Sequence, residues 1–228
     1  MHNDLNTIKI AAIVPILLIF LLLISLPIPT ALADSKGIEQ AVSSADLEKT
    51  GIASAIRQGR GHIAFEVAEN GLKFGFDQGQ PLDTNGFPLY GNNFVTQGYI
   101  YPPGTLKQDA KTGLYNGVNS DGTAEFPDKV LGTWICRGWV YGDDGFNIAS
   151  GAVVVTTQIY DFHEIAGQFG KITLVTDGTE LIDENVPILR AVTGGTGPYK
   201  RARGQVKQTL LGLNDTVGVS LKFRLQVK

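Results

Sequence analysis

Val219-Ser220-Leu221-Lys222-Phe223-Arg224-Leu225-Gln226-Val227 alternates apolar and polar residues without interruption. A period of two puts Leu221, Phe223, Leu225 and Val227 on one face of an extended strand, and Ser220, Lys222, Arg224, Gln226 and Lys228 on the other. Such a strand has one buried face and one wet face. Upstream, GHIAFEV, LKFGF, NFVTQGYIY, GTWICRGWVY, SGAVVVTTQIYDF, KITLVT, PILRAVT and ARGQVKQTLLGL are further runs rich in β-branched and aromatic residues, giving about nine candidate strands. Asn85-Gly86, Asp121-Gly122, Asp144-Gly145, Asp177-Gly178 and Gly194-Gly195 supply residues tolerant of positive φ, so each is expected to turn the chain between antiparallel strands. Ala152 to Thr157 is apolar in both phases, as in a strand covered on both faces. Many short strands with no strong helix predict an all-β closed barrel or a sandwich. A barrel of about eight strands encloses either packed side chains or one small ligand, and the pattern leaves both open.

The rest of the chain narrows the class. Its 228 residues are 43% hydrophobic and 18% charged, which suits one folded domain plus an appendage. Acidic residues outnumber basic ones by 22 to 19, so there is no general excess of positive charge for a nucleic acid. A single cysteine, Cys136, excludes an intramolecular disulfide and any multi-thiolate metal site. No charged residue occurs from Ile10 to Ala33, and the run ends in Pro27, Pro29 and Ala31-Leu32-Ala33. This predicts a signal peptide over residues 1–33, cleaved after Ala33, and a secreted or periplasmic mature protein. An uncleaved anchor is the alternative and would be the only membrane contact. Residues 34–60 read as a leader, either one short helix or a loose linker, and 61–228 as the β-barrel domain.

Ala191-Val192-Thr193-Gly194-Gly195-Thr196-Gly197-Pro198-Tyr199-Lys200-Arg201-Ala202-Arg203-Gly204-Gln205-Val206-Lys207 resembles the signature shared by plant allene oxide cyclases and dirigent proteins. The AVTGG start and GQVK end look like the cyclases; GGTG, an aromatic, a basic residue and ARG look like the dirigents. The resemblance spans roughly residues 60 to 228. It implies an eight-stranded antiparallel barrel, a homotrimer, a largely apolar cavity, no cofactor, and a hydrophobic small molecule, fatty-acid-like or phenolic, as ligand. Cyclases of this kind fold an unstable fatty-acid epoxide so that it closes a ring; dirigents hold phenolic radicals for stereoselective coupling. Both work by positioning, which can supply ~7–11 kcal/mol of barrier lowering. The implied function is that of a secreted barrel steering cyclisation or coupling, as a cofactor-independent isomerase if it is an enzyme. A non-catalytic carrier or structural envelope protein is the alternative.

Carried over residue by residue, the resemblance is partial. Phe65-Glu66-Val67-Ala68 is similar to a cyclase Tyr-Glu-aliphatic-Asn strand, which makes Glu66 the catalytic candidate, while Ala68 departs from the pattern. Trp134-Ile135-Cys136 resembles the strand bearing a cavity cysteine, so Cys136 and Trp134 are expected in the cavity wall. Asn93, after Phe87-Pro88, is similar to a cavity asparagine at a different spacing. The cyclase tyrosine expected near Thr173 to Asp177 has no counterpart. Gly194, Gly195, Gly197 and Gly204 form the structural motif. The match turns Ala64, Glu66 and Ala68 inward, whereas period-two logic turns Ile63, Phe65 and Val67 inward; the expectation adopted follows the resemblance.

Plainer readings compete. Cys136 fits a small buried hydrophobe, and Glu66 an exposed strand glutamate. Asp161-Phe162-His163-Glu164 fits a solvated loop better than an acid/base relay, since no nucleophile motif accompanies it. Asp143-Asp144-Gly145 and Asn119-Ser120-Asp121-Gly122 lack the pattern of a calcium loop and read as turns, so no metal is expected. Lys200, Arg201, Arg203 and Lys207 read as a solvated strand face, or as a receiver for a ligand carboxylate. Trp134 and Trp139 lie in opposite phases, so only one can face inward.

Overall fold

The computed structural model describes residues 44–82, 88–141, 153–181 and 183–228. The expected signal peptide lies outside them, as do the turns expected at Asn85-Gly86 and Asp144-Gly145. The strands are β1 (Gly61–Glu69), β2 (Gly75–Phe76), β3 (Asn93–Tyr101), β4 (Gly132–Val140), β5 (Val153–Asp161), β6 (Thr173–Leu181), β7 (Pro187–Gly195), β8 (Gly204–Leu213) and β9 (Val219–Val227). All pair antiparallel in the order β1-β9-β8-β7-β6-β5-β4-β3-β2, and an added β1–β3 pairing closes the sheet on itself. Eight strands form the closed barrel, and the two-residue β2 pairs with β3 at Val95 and Phe94, beyond the stretch of β3 that pairs with β1. Closure removes the exposed edges that an open sheet would offer to other chains.

One end of the barrel is filled by apolar side chains. Phe65 packs against Tyr160, Phe162 and Phe223 at centroid separations of 5.0, 5.7 and 5.2 Å. Ile63, Val67, Leu174, Leu221 and Leu225 complete this core. Helix α1 (Ser44–Gln58) supports the same cluster through Ile52, Ala53, Ala55 and Ile56, a spacing that puts these residues on one helical face. The helix stops at Gly59, whose φ of 66° and N–H bonds to Ala55 and Ile56 form a left-handed cap. Over Ser44–Gln58 the leader takes the helical form, one of the two expected. Helix α2 (His163–Ala166) contributes Ile165, and Arg57 of α1 donates to its carbonyl at 3.1 Å. The Asp161–Glu164 segment is therefore not a solvated loop: Asp161 is buried, accepting from Gly170 N–H at 2.7 Å, and His163 stacks on Phe169.

The phase of β1 is opposite to the one adopted from the resemblance. Ile63, Phe65 and Val67 face the barrel core, and Ala68 belongs to a second, external cluster with Tyr101, Leu106 and Val118. The segment 102–131 folds over the outside of β1 and β3 and buries that outer face. Glu66 sits beneath it, accepting from Leu106 N–H at 2.8 Å, while Tyr101 donates to the Gly117 carbonyl at 2.6 Å. From Phe65 to Glu69 both faces of β1 are thus dry.

Two of the expected turns are strand. Asp177 and Gly178 lie inside β6, where Asp177 accepts from the Thr157 hydroxyl at 2.6 Å. Gly194 and Gly195 end β7, beside a register shift on β6 between Val175 and Thr176, and Gly197 opens a single 3-10 turn to Tyr199. The motif glycines are required sterically. A Cβ on Gly195 would lie 2.0 Å from the Thr173 carbonyl oxygen, and one on Gly204, at φ 149°, 2.0 Å from that of Gln226. Asp121-Gly122 is a turn, as expected.

Candidate functional site

At the opposite end of the barrel the inward positions become polar. Gly138, Thr156, Gly178 and Arg190 lie on neighbouring strands from β4 to β7, and Cys136, Gln158 and Thr176 occupy the row beside them. Glu180 on β6 is the hub. Its Oε1 accepts from Gln158 at 2.8 Å and from Arg190 at 3.1 Å, and also from the Thr156 hydroxyl. Its Oε2 accepts from Gln208 at 2.8 Å, and the Cys136 thiol approaches Oε1 at 3.7 Å. Arg190 is fully buried and spends its remaining donors on the Thr156 carbonyl at 3.0 Å and the Thr176 hydroxyl at 3.3 Å. Gly178 makes the space: a Cβ there would stand 3.3 Å from the Arg190 side chain. Gln158 also bonds to Gln208 at 3.0 Å and accepts from the Tyr160 hydroxyl, which joins the network to the aromatic floor.

A second interior carboxylate stands across from this hub. Glu69, at the end of β1, accepts from Val219 N–H at 2.7 Å and from Thr96, at 2.5 Å. Thr96 is the register partner of Cys136, so the polar ring runs from Glu69 through Thr96 and Cys136 to Glu180. Burial holds the Glu69 carboxyl above its ordinary range, and the Glu180 charge adds to the effect. Burial likewise pushes up the Cys136 thiol, which disfavours the thiolate that a nucleophile needs. The site accordingly holds an arginine-paired carboxylate, a second carboxyl group whose pKa burial raises, two amides and a thiol.

The raised Glu69 value has a consequence for stability. The folded chain binds this proton more tightly than the unfolded chain, so the contribution is fully present below the unfolded value of 4.5 and is lost as pH rises through the folded value. Glu69→Gln should flatten the decline of unfolding free energy as pH rises above 4.5, by no more than ~1.4 kcal/mol per pH unit, as read by urea denaturation at successive pH values. An equal decline in both proteins would assign the pH dependence to other groups.

The expected site residues divide between the two sides of the wall. Cys136 and Trp134 face inward and are both part of the packed core. The Trp134 indole N–H is buried with no partner among the described residues. Glu66 is outside the barrel interior because β1 takes the other phase. Asn93 is exposed on the outer face, because Phe94 and Thr96 take the inward positions of β3. It borders an external groove of about 540 Å³ with Phe76, Val95, Arg137 and Trp139. Trp139 is 54% exposed there. Sequence reasoning missed Glu69, Glu180 and Arg190. The available signal was Arg190 at an inward parity of β7, shared with Ile188 and Val192, where a solvated arginine is out of place.

No family model matches the chain, and no curated protein sequence does. Among solved structures it is similar to a pyocyanin demethylase, at 10% identity and a TM-score of 0.45, over 73% of this chain and 99% of that one. It is similar to a pterocarpan synthase dirigent protein, at 13% identity and a TM-score of 0.49, over 73% and 92%. A heme-binding cyclase of neoabyssomicin biosynthesis matches at 10% identity and a TM-score of 0.37, over 84% and 82%.

Proposed function

We propose that this barrel binds a small, largely apolar molecule bearing a hydrogen-bonding oxygen, and holds it at the polar end of the interior in one conformation suited to cyclisation or coupling. The observation that carries this reading is the Glu180–Arg190 network standing above an aromatic floor. A buried ion pair is weak evidence for stability, since well-packed apolar residues of similar volume often serve as well or better. Its presence inside a barrel of otherwise apolar floor is better accounted for by recognition. The unpartnered Trp134 indole N–H supports the same reading, being a donor that a ligand carbonyl or ether oxygen would satisfy. Glu180, whose side chain is 12% exposed, marks the side of entry. The ligand class expected from the sequence, fatty-acid-like or phenolic, matches an apolar body with one polar head. Catalysis, secretion and trimeric assembly are parts of the same proposal.

A second reading is a carrier that releases its ligand unchanged. It is favoured by the fully buried Phe65, Tyr160 and Phe223, which fill the apolar end of the interior.

The test is a native mass spectrum of protein purified from its own host, followed by titration with fatty-acid and phenolic probes. Trp139→Phe leaves Trp134 as the sole tryptophan reporter. A retained small molecule, and a Trp134 emission shift that weakens at least about tenfold in Glu180→Gln, are the expected results. A bare mass together with unaltered emission for every probe would overturn the proposal. A probe that binds and is recovered unchanged with no stereochemical bias would select the carrier.

A further inference from the structure

Three cations share a shallow groove of about 250 Å³ on the outer face of β8 and β9, lined by Asn185, Lys207, Thr209, Leu211, Lys222 and Arg224. Lys207 stands directly opposite Arg224 in the register, and Lys222 opposite Thr209. Like charges facing each other across strands destabilise a sheet unless something neutralises them. Register places Glu184, bridged to Leu210, at the margin of the groove, and sets one acid directly across from a cation, Glu66 of β1 opposite Lys222. Its carboxylate is turned beneath the 102–131 segment onto Leu106 N–H and makes no ion pair with Lys222. Among the described residues none of the three cationic heads is in an ion pair. This concentration of positive charge is local, because the chain as a whole carries a formal charge of -3.

We infer that this groove is a binding site for a phosphate monoester group carried by a small soluble molecule, independent of the barrel interior. The size of the groove sets the occupant: it is smaller than the ~300–1,000 Å³ of clefts that enclose a drug-sized ligand, so it takes an anionic group rather than a whole molecule. Charge sets the chemistry. Two lysine point charges and one guanidinium fork match a dianion with three acceptor oxygens better than a carboxylate with one charge and two. Asn185 and Thr209 add neutral donors beside them.

The experiment is a ³¹P NMR titration of phenyl phosphate and inorganic phosphate against the full chain at constant ionic strength, with benzoate as competitor. Wild type should give saturable line broadening that benzoate displaces poorly. Lys222→Gln/Arg224→Gln should weaken binding by at least about tenfold. Arg137→Gln, on a different part of the wall, should leave it unchanged, and circular dichroism should give all three proteins the same barrel spectrum. Broadening that is absent, or equal in the double variant, overturns the inference. So does binding confined to phosphatidic acid vesicles with no response to the soluble phosphates, which would make the groove a membrane contact. Failure here leaves the interior site untouched, since Trp134 emission reports only the latter.

Discussion

Arg190→Met should be among the most damaging single substitutions in the chain, lowering stability by roughly 3–5 kcal/mol because it leaves Glu180 buried without its counter-charge. For a domain of this size that is a fall in Tm of roughly 6–20 °C. Glu180 keeps a little solvent contact, with 12% of its side chain exposed, so the lower half of that range is expected. The double variant Arg190→Met/Glu180→Gln separates charge from packing. Glutamine keeps one of the two oxygens that accept from Gln158 and Gln208 at 2.8 Å each, loses the other acceptor, and has no charge to strand. At least half of the lost stability should return. A double variant as unstable as the single one would show that the lost contacts of the guanidinium, with the Thr156 carbonyl and the Thr176 hydroxyl, carry the cost instead.

The second large effect belongs to the packed end. Phe65→Ala should cost about 3–5 kcal/mol, since it removes a ring touching Tyr160, Phe162 and Phe223 where the rigid barrel wall limits collapse into the gap. Phe65→Leu, which retains most of the volume, should cost much less. Urea denaturation with an unchanged m value checks both. A cost for Phe65→Ala below about 1 kcal/mol, the range of surface positions, would contradict an inward Phe65 and return β1 to the other phase. The same measurement bears on function, because an inward Phe65 fills space that a ligand would otherwise occupy.

The two predictions probe parts of the molecule that differ in how legible they were. β9 was read directly from Leu221 on: Leu221, Phe223, Leu225 and Val227 are core and Arg224 and Gln226 are on the wet face, whereas Ser220, expected on that face, is fully buried. Trp134 and Trp139 likewise divided between inside and outside as their parity required. β1 was not legible, because the external cluster of Ala68, Tyr101, Leu106 and Val118 buries the outer face as thoroughly as the barrel buries the inner one. Neither phase then carries a polar stripe to mark the outside. The adopted phase took its direction from Glu66, whose burial proved to come from a loop on the outside.

By itself the sequence determined the strands, their antiparallel chemistry, the glycine turn at Asp121-Gly122, and the wet face of the last strand. Those properties depend on neighbours within a few residues, where a period of two or a missing Cβ is sufficient cause. Only the tertiary structure decided which face of β1 looks inward and that Glu69, Cys136, Glu180 and Arg190 share one interior. That choice depends on barrel closure, on the register shift between Val175 and Thr176, and on the segment that covers β1 from outside. Each is a contact between distant parts of the chain, and alternation along a single strand carries no record of what will be packed against it.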